Sequence, residues 1–181
     1  MYSSVIEKIE EEAEREGLPI VGRRKGKVLI DLIRRYKPKN ILEIGTLIGY
    51  SAILMASNMK KGKLYTIELN ELRAKKAREN IERAMLNNKI EVLVGDAKQV
   101  IPKLNISFDM LFIDAEKSEY FTYLKLAEEK LKKGAIVVAD NVKMAESRMI
   151  DYLTYVRNSK SYKSLTIDFG YDAMEISFKL F

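Results

Sequence analysis

The chain has 181 residues, 47% hydrophobic and 32% charged, an ordinary globular composition with enough length to bury a core. It contains no Cys and no His, which excludes disulfides, thiolate zinc sites, histidine bases and Ser–His–Asp triads. Lys and Arg outnumber Asp and Glu by 32 to 26, a net charge of +6 that is compatible with a polyanionic partner; chemistry must come from carboxylates, amides, hydroxyls, Lys, Arg, backbone or a cofactor, and any metal would be a hard cation held by oxygen.

Residues 5–16 read as an amphipathic helix with Val5, Ile6, Ile9 and Ala13 on one side, capped by Ser3 or Ser4 and stopped at Gly17 and Pro19. Residues 23–36 read as a second helix ended by Pro38. Short apolar runs then follow at 40–44, 63–67, 90–94, 108–113 and 135–139, with helical patterns between them at 50–59, 71–86, 97–104 and 119–131. Strands alternating with helices predict βαβ units and a parallel sheet covered on both faces, which explains runs that are apolar throughout. A helix at 146–157 precedes runs at 164–168 and 173–180, too close together for a crossover. The sheet is therefore expected to finish with an antiparallel strand, giving a doubly wound, mostly parallel seven-stranded α/β domain over residues 1–181, with the helices in 1–36 covering the cofactor side. No apolar stretch reaches the ~20 residues of a membrane span, and the N-terminal residues lack a signal-peptide pattern. The expected location is the cytoplasm, with no membrane partner.

The informative feature is the position of the acids. Glu43 follows Asn40-Ile41-Leu42, Glu68 follows Leu64-Tyr65-Thr66-Ile67, Asp96 follows Val92-Leu93-Val94-Gly95, Asp114 follows Leu111-Phe112-Ile113, and Asp140 follows Val137-Val138-Ala139. The carboxyl ends of parallel strands share one edge, where ligands bind, so these five acids are expected to line one crevice. A single Asp there is usually a helix cap, but five in one register, two of them Glu, call for more than capping. Glu43-Ile44-Gly45-Thr46-Leu47-Ile48-Gly49 joins the first strand to a helix. It matches neither the G-x-G-x-x-G fingerprint nor a P-loop, which disfavours a pyrophosphate ligand. Glu68, about 25 residues after Glu43, is where an acid can take both hydroxyls of a ribose.

Glu43 to Ala52 resembles the S-adenosylmethionine loop of the cation-dependent O-methyltransferases, the group of catechol and caffeoyl-CoA O-methyltransferases. The likeness continues through Thr66-Ile67-Glu68, Gly95-Asp96-Ala97, Phe112-Ile113-Asp114-Ala115-Glu116-Lys117 and Ala139-Asp140-Asn141-Val142. Asp114-x-x-Lys117 together with Asp140-Asn141 points to the cation-dependent subgroup. The resemblance implies an S-adenosylmethionine pocket in which Glu43, Gly45 and Ser51 shape the methionine end, Val21 and Gly22 close over it, Glu68 binds the ribose, Asp96 and Ala97 flank the adenine, and Asp114 borders the donor. It implies that Asp114, Asp140 and Asn141 hold Mg²⁺ or a similar divalent cation, that Lys117 is the general base, and that Lys117, Asn141 and Glu175 face the acceptor.

The implied reaction is methyl transfer to a hydroxyl of a small catechol-like acceptor. The N-terminal segment is one acidic helix, and no aromatic clamp for a catechol ring is evident; Tyr120, Phe121, Tyr123 and Tyr171 are the candidates. A second enzymatic reading is methylation of a hydroxylated tRNA base, since some bacterial relatives of this family act on hydroxyuridine; the run Arg23-Arg24-Lys25-Gly26-Lys27 offers charge for phosphates. A third is a non-catalytic binding module of the same fold. Family analogy also implies a homodimer, for which the apolar sides of the first helix and the last hairpin are candidate surfaces.

Overall fold

Runs of Ile, Leu, Val and Phe can form central strands only where helices cover both faces, and the chain meets that condition with helices on each side of one sheet. The computed structural model describes residues 2–181. In chain order the elements are α1 (Tyr2–Glu16), α2 (Gly22–Tyr36), β1 (Asn40–Ile44), α3 (Tyr50–Asn58), β2 (Lys63–Glu68), α4 (Glu71–Arg83), β3 (Ile90–Val94), α5 (Ala97–Val100), β4 (Phe108–Ile113), α6 (Tyr120–Glu128), β5 (Leu131–Ala139), α7 (Ile150–Asn158), β6 (Tyr162–Asp168) and β7 (Ala173–Lys179). Short 3-10 turns occupy Ile101–Lys103, Lys117–Glu119 and Glu146–Arg148.

Among the described residues the strands form one seven-stranded sheet of order β3-β2-β1-β4-β5-β7-β6. β1 to β5 pair in parallel, and β7 pairs antiparallel with both β5 and β6. The expected doubly wound architecture and antiparallel last strand are therefore present. The chain winds outward from β1 to β3, then returns to β4 beside β1, so the strand order reverses between β1 and β4, where a ligand crevice opens. Ile41, Met110, Phe112, Val138 and Ile176 pack toward the helices α1 to α4. Leu42, Leu111, Ile113 and Val137 pack toward α5, α6 and α7.

Several local expectations are corrected. α1 begins at Tyr2, so Ser3 and Ser4 lie within its first turn instead of capping it. Its apolar side, Val5, Ile6, Ile9 and Ala13, is buried within this chain, which removes it as a free dimer surface. The helix expected at 97–104 is one turn of α-helix followed by a 3-10 turn, because Pro102 supplies no N–H to continue the ladder. β5 starts four residues early, with Leu131 opposite Phe108 and a register shift before Met110. Glu43 lies inside β1 and Glu68 is the last residue of β2, so neither follows its strand.

Candidate active site

The site is built where the strand order reverses. The Gly45 N–H donates to Ile67 O at 3.0 Å, and the Asp114 N–H donates to Ile44 O at 2.9 Å, drawing the ends of β1, β2 and β4 together. Gly45 has φ +100°, and a Cβ there would lie 2.0 Å from Asp114 O, so glycine alone permits this approach. Leu47 is also left-handed, with φ 51°. Its N–H donates to Glu68 Oε2 at 2.8 Å, while Glu68 Oε1 accepts from the Asn70 N–H at 3.0 Å. Glu68 thus fixes the shape of the glycine loop as well as facing the crevice.

A cavity of about 730 Å³ runs along these strand ends, within the size range of small-molecule sites. Val21, Gly45, Ser51, Glu68, Asp96, Ala97, Asp114, Lys117, Asp140 and Asn141 all line it. Asp96 also caps α5, accepting from the Lys98 N–H at 2.9 Å. Gly22 starts α2 and lies outside the lining. Glu43 is 0% exposed and stands behind the wall, where one carboxylate oxygen accepts from the Ser51 hydroxyl. Among the described residues its other oxygen, Oε2, has no hydrogen-bond partner within normal distance and geometry. Burial pushes the Glu43 carboxyl up to about 8, against the opposing pull of the Ser51 hydroxyl, so the group is largely uncharged at neutral pH.

On the same cavity wall, Lys117 Nζ donates to Asp114 Oδ1 at 2.9 Å and to the Tyr120 hydroxyl oxygen at 2.9 Å. Asp140, one strand over, is pushed up by burial and by the negative charge of Asp114, with Lys25 pulling the other way. Asn141 has φ 62°, a left-handed conformation that Asn tolerates better than most residues. Its Nδ2 donates to Asp172 Oδ2 at 2.7 Å, which leaves its Oδ1 as the acceptor of that amide. Among the described residues no three His, Cys, Asp or Glu side chains converge as a metal cluster; the convergent oxygens here are two carboxylates and one amide.

Two members of this cluster were missed by sequence reasoning, Lys25 and Asp172. Lys25 Nζ lies 2.5 Å from Asp140 Oδ1 and donates to Asp172 Oδ2 at 2.5 Å. Burial opposes the Lys25 charge, but the two carboxylates outweigh it and hold the ammonium above its ordinary range. Burial likewise opposes ionisation of Asp172, yet bonds from Lys25, the Met144 N–H and Asn141 hold its carboxyl down at about 2.

Glu175 requires a correction. It does not border the cavity; it is 0% exposed, and Arg157 donates to it from Nε at 2.9 Å and Nη2 at 3.0 Å. Side chains alternate along β7, which turns Glu175 toward α7, while Asp172 lies in the loop before the strand. Of the aromatic candidates, Tyr123 and Tyr171 line the cavity. Tyr120 and Phe121 instead pack edge-on against Tyr152 and Tyr155. The basic run is broken up: Arg23 pairs with Glu10, Lys25 is buried, and Lys27 pairs with Asp31.

A family profile described as O-methyltransferase matches residues 3–159. Catechol O-methyltransferase of Mus musculus is 36% identical over 159 residues, covering 83% of this chain and 59% of that protein. Catechol O-methyltransferase of Niastella koreensis is 39% identical over 142 residues, 75% of this chain and 64% of that protein. The chain thus spans about three fifths of the length of these curated relatives. Among solved structures, an O-methyltransferase from Bacillus cereus in complex with SAH superposes with a TM-score of 0.87 at 28% identity, covering 97% of this chain and 90% of that one. The O-methyltransferase TomG from Streptomyces achromogenes, in complex with SAM, gives 0.90 at 26% identity over 98% and 90%. The profile match runs over most of the chain, and on that ground this protein belongs to the O-methyltransferase family.

Proposed function

We propose that this chain is an S-adenosylmethionine-dependent O-methyltransferase that uses a divalent cation such as Mg²⁺ and methylates one hydroxyl of a small catechol-like acceptor. The observation that carries the reading is the convergence of Asp114, Lys117, Asp140 and Asn141 on one cavity that Gly45, Glu68 and Asp96 also line. The names of the relatives, catechol O-methyltransferases and SAM- or SAH-bound O-methyltransferases, support it.

On this reading Val21, Gly45 and Ser51 shape the methionine end of the donor site. Glu43 acts from behind, holding the Ser51 hydroxyl. Glu68 takes the ribose hydroxyls; a carboxylate has about four lone-pair sites, so its two backbone bonds leave capacity for them. Asp96 and Ala97 flank the adenine. The bound donor supplies an electrophilic methyl group on a sulfonium.

The donor set fits a hard dication: two carboxylates and an amide carbonyl are oxygen ligands of the preferred kind. Burial and, after it, the negative charge of Asp114 push Asp140 up, and a bound cation would offset both. Asp114, Asp140 and Asn141 would hold it, and it would supply positive charge beside the acceptor oxygens, favouring their ionised form. Lys117, in its amine form, takes the acceptor's hydroxyl proton at Nζ; Asp114 Oδ1 and the Tyr120 oxygen hold that nitrogen in position. No covalent enzyme intermediate is needed, so the residues accelerate transfer by orientation and by stabilising charge.

Replacing Lys117 tests the assignment. Lys117→Ala should lower methyl transfer by roughly 10²–10⁴-fold, while affinity for S-adenosylhomocysteine, measured by calorimetry, stays as in the parent. An unchanged rate would remove Lys117 from the reaction.

A further inference from the structure

Lys25 takes no part in the reaction just described, yet among the described residues it is the one Lys or Arg that is buried. It lies on the inner side of α2 in line with Leu29 and Ile33, where an apolar side chain would be the ordinary choice. Burying an ammonium is expensive unless it is paired, and this one is paired twice. Side-chain exposure is 4% for Lys25, 3% for Asp140 and 0% for Asp172, so solvent screens the cluster little.

The two carboxylates differ in what else they do. Asp172 is already satisfied by the Asn141 amide at 2.7 Å and the Met144 N–H at 3.0 Å. Among the described residues, Asp140 Oδ1 otherwise receives only the adjacent Asn141 N–H, at 2.8 Å. The ammonium therefore sits on one of the two carboxylates assigned to the cation. Through Asp172 it also steadies the residue that orients the Asn141 amide.

We infer that Lys25 is a tethered cation that competes with the divalent ion for Asp140 and limits how tightly the centre holds the metal. The inference rests on the cation-dependent reading above. Lys25 is a positioning residue: it touches a ligand of the metal, not the reacting atoms. A merely structural lysine would act in the opposite sense, because its loss would loosen Asp140 and Asn141 and weaken the metal.

The test is Mn²⁺ binding to the full chain, without donor or acceptor, read by calorimetry. Lys25→Met removes the charge and keeps most of the stem; Lys25→Gln also removes the charge but still donates to the carboxylates, so it decides the matter if Lys25→Met does not fold. Removing a unit positive charge from the carboxylate shared with a dication should tighten Mn²⁺ binding by about tenfold or more. Mn²⁺ affinity that is unchanged or weaker in the folded variant overturns the inference while leaving the cation reading intact. If neither parent nor variant binds Mn²⁺, the cation reading itself fails, and the inference falls with it.

Discussion

Replacing Gly45 with alanine probes the join between the donor and acceptor ends. A Cβ at this position would meet Asp114 O at 2.0 Å, which is 1.4 Å short of ordinary contact at 3.4 Å, and the backbone φ of +100° is one that L side chains rarely adopt. Left-handed backbone costs a non-glycine residue roughly 1–2 kcal/mol, and overpacking adds typically about 1–3 kcal/mol. In a chain of this size each kcal/mol lowers Tm by roughly 2–4 °C, so Gly45→Ala should melt at least several degrees below the parent. Relief must come from the β1–β4 join, which shifts Asp114 by a good part of the clash. A displacement of ~1 Å can cost about 10²-fold in rate. Gly62→Ala is the control, because its Cβ would meet Lys39 O at 1.9 Å with φ +104°, a comparable clash outside the cavity lining. Calorimetric S-adenosylhomocysteine affinity and scanning calorimetry on both variants separate the effects. Gly62→Ala should lose stability and keep affinity, whereas Gly45→Ala loses both. A Gly45→Ala protein that melts and binds like the parent would refute the reasoning.

Glu43 makes stability depend on pH. Its folded carboxyl titrates near 8, against 4.5 for the free group, so between those values the unfolded chain releases a proton that the folded chain keeps. The stabilisation is full below pH 4.5 and declines until pH passes about 8. Glu43→Gln should therefore gain on the parent across that window in urea melts at stepped pH; a constant difference would mean that Glu43 is ionised in the fold. Glu175→Ala strands Arg157 beside an empty buried position, so it should lower Tm while the KM for a catechol acceptor stays unchanged. A raised acceptor KM with an unaltered Tm would return Glu175 to the site.

The sheet was legible because its central strands are continuous apolar runs separated by helical patterns, and both faces are indeed covered. The crevice was legible because parallel strands bring distant acids to one edge. Reading failed where a contact depends on a turn or on strand parity. Asp172 reaches Asn141 because the β5–β7 pairing carries the loop back, with the Val142 N–H donating to Ala173 O at 3.0 Å, and nothing local announces this. Glu175 was misassigned for the same reason, since which face it takes follows from the β7 register. Lys25 reads as one cation in a basic run that offers charge for phosphates, although its spacing to Leu29 and Ile33, four and eight residues on, is that of an inward-facing residue. Glu43 reads as a crevice acid although the run at 40–44 already contains it, because only the folded sheet shows that its side chain is buried behind the wall.

The most direct measurement is transfer of labelled methyl from S-adenosylmethionine to a panel of catechols, first with Mg²⁺, then after chelation, then with Mg²⁺ restored. Methylation that vanishes on chelation and returns with the ion is the result expected of a donor and a dication held side by side at the ends of β1, β4 and β5. Transfer that is indifferent to chelation, or bound donor with no catechol methylated in the presence of Mg²⁺, would contradict it.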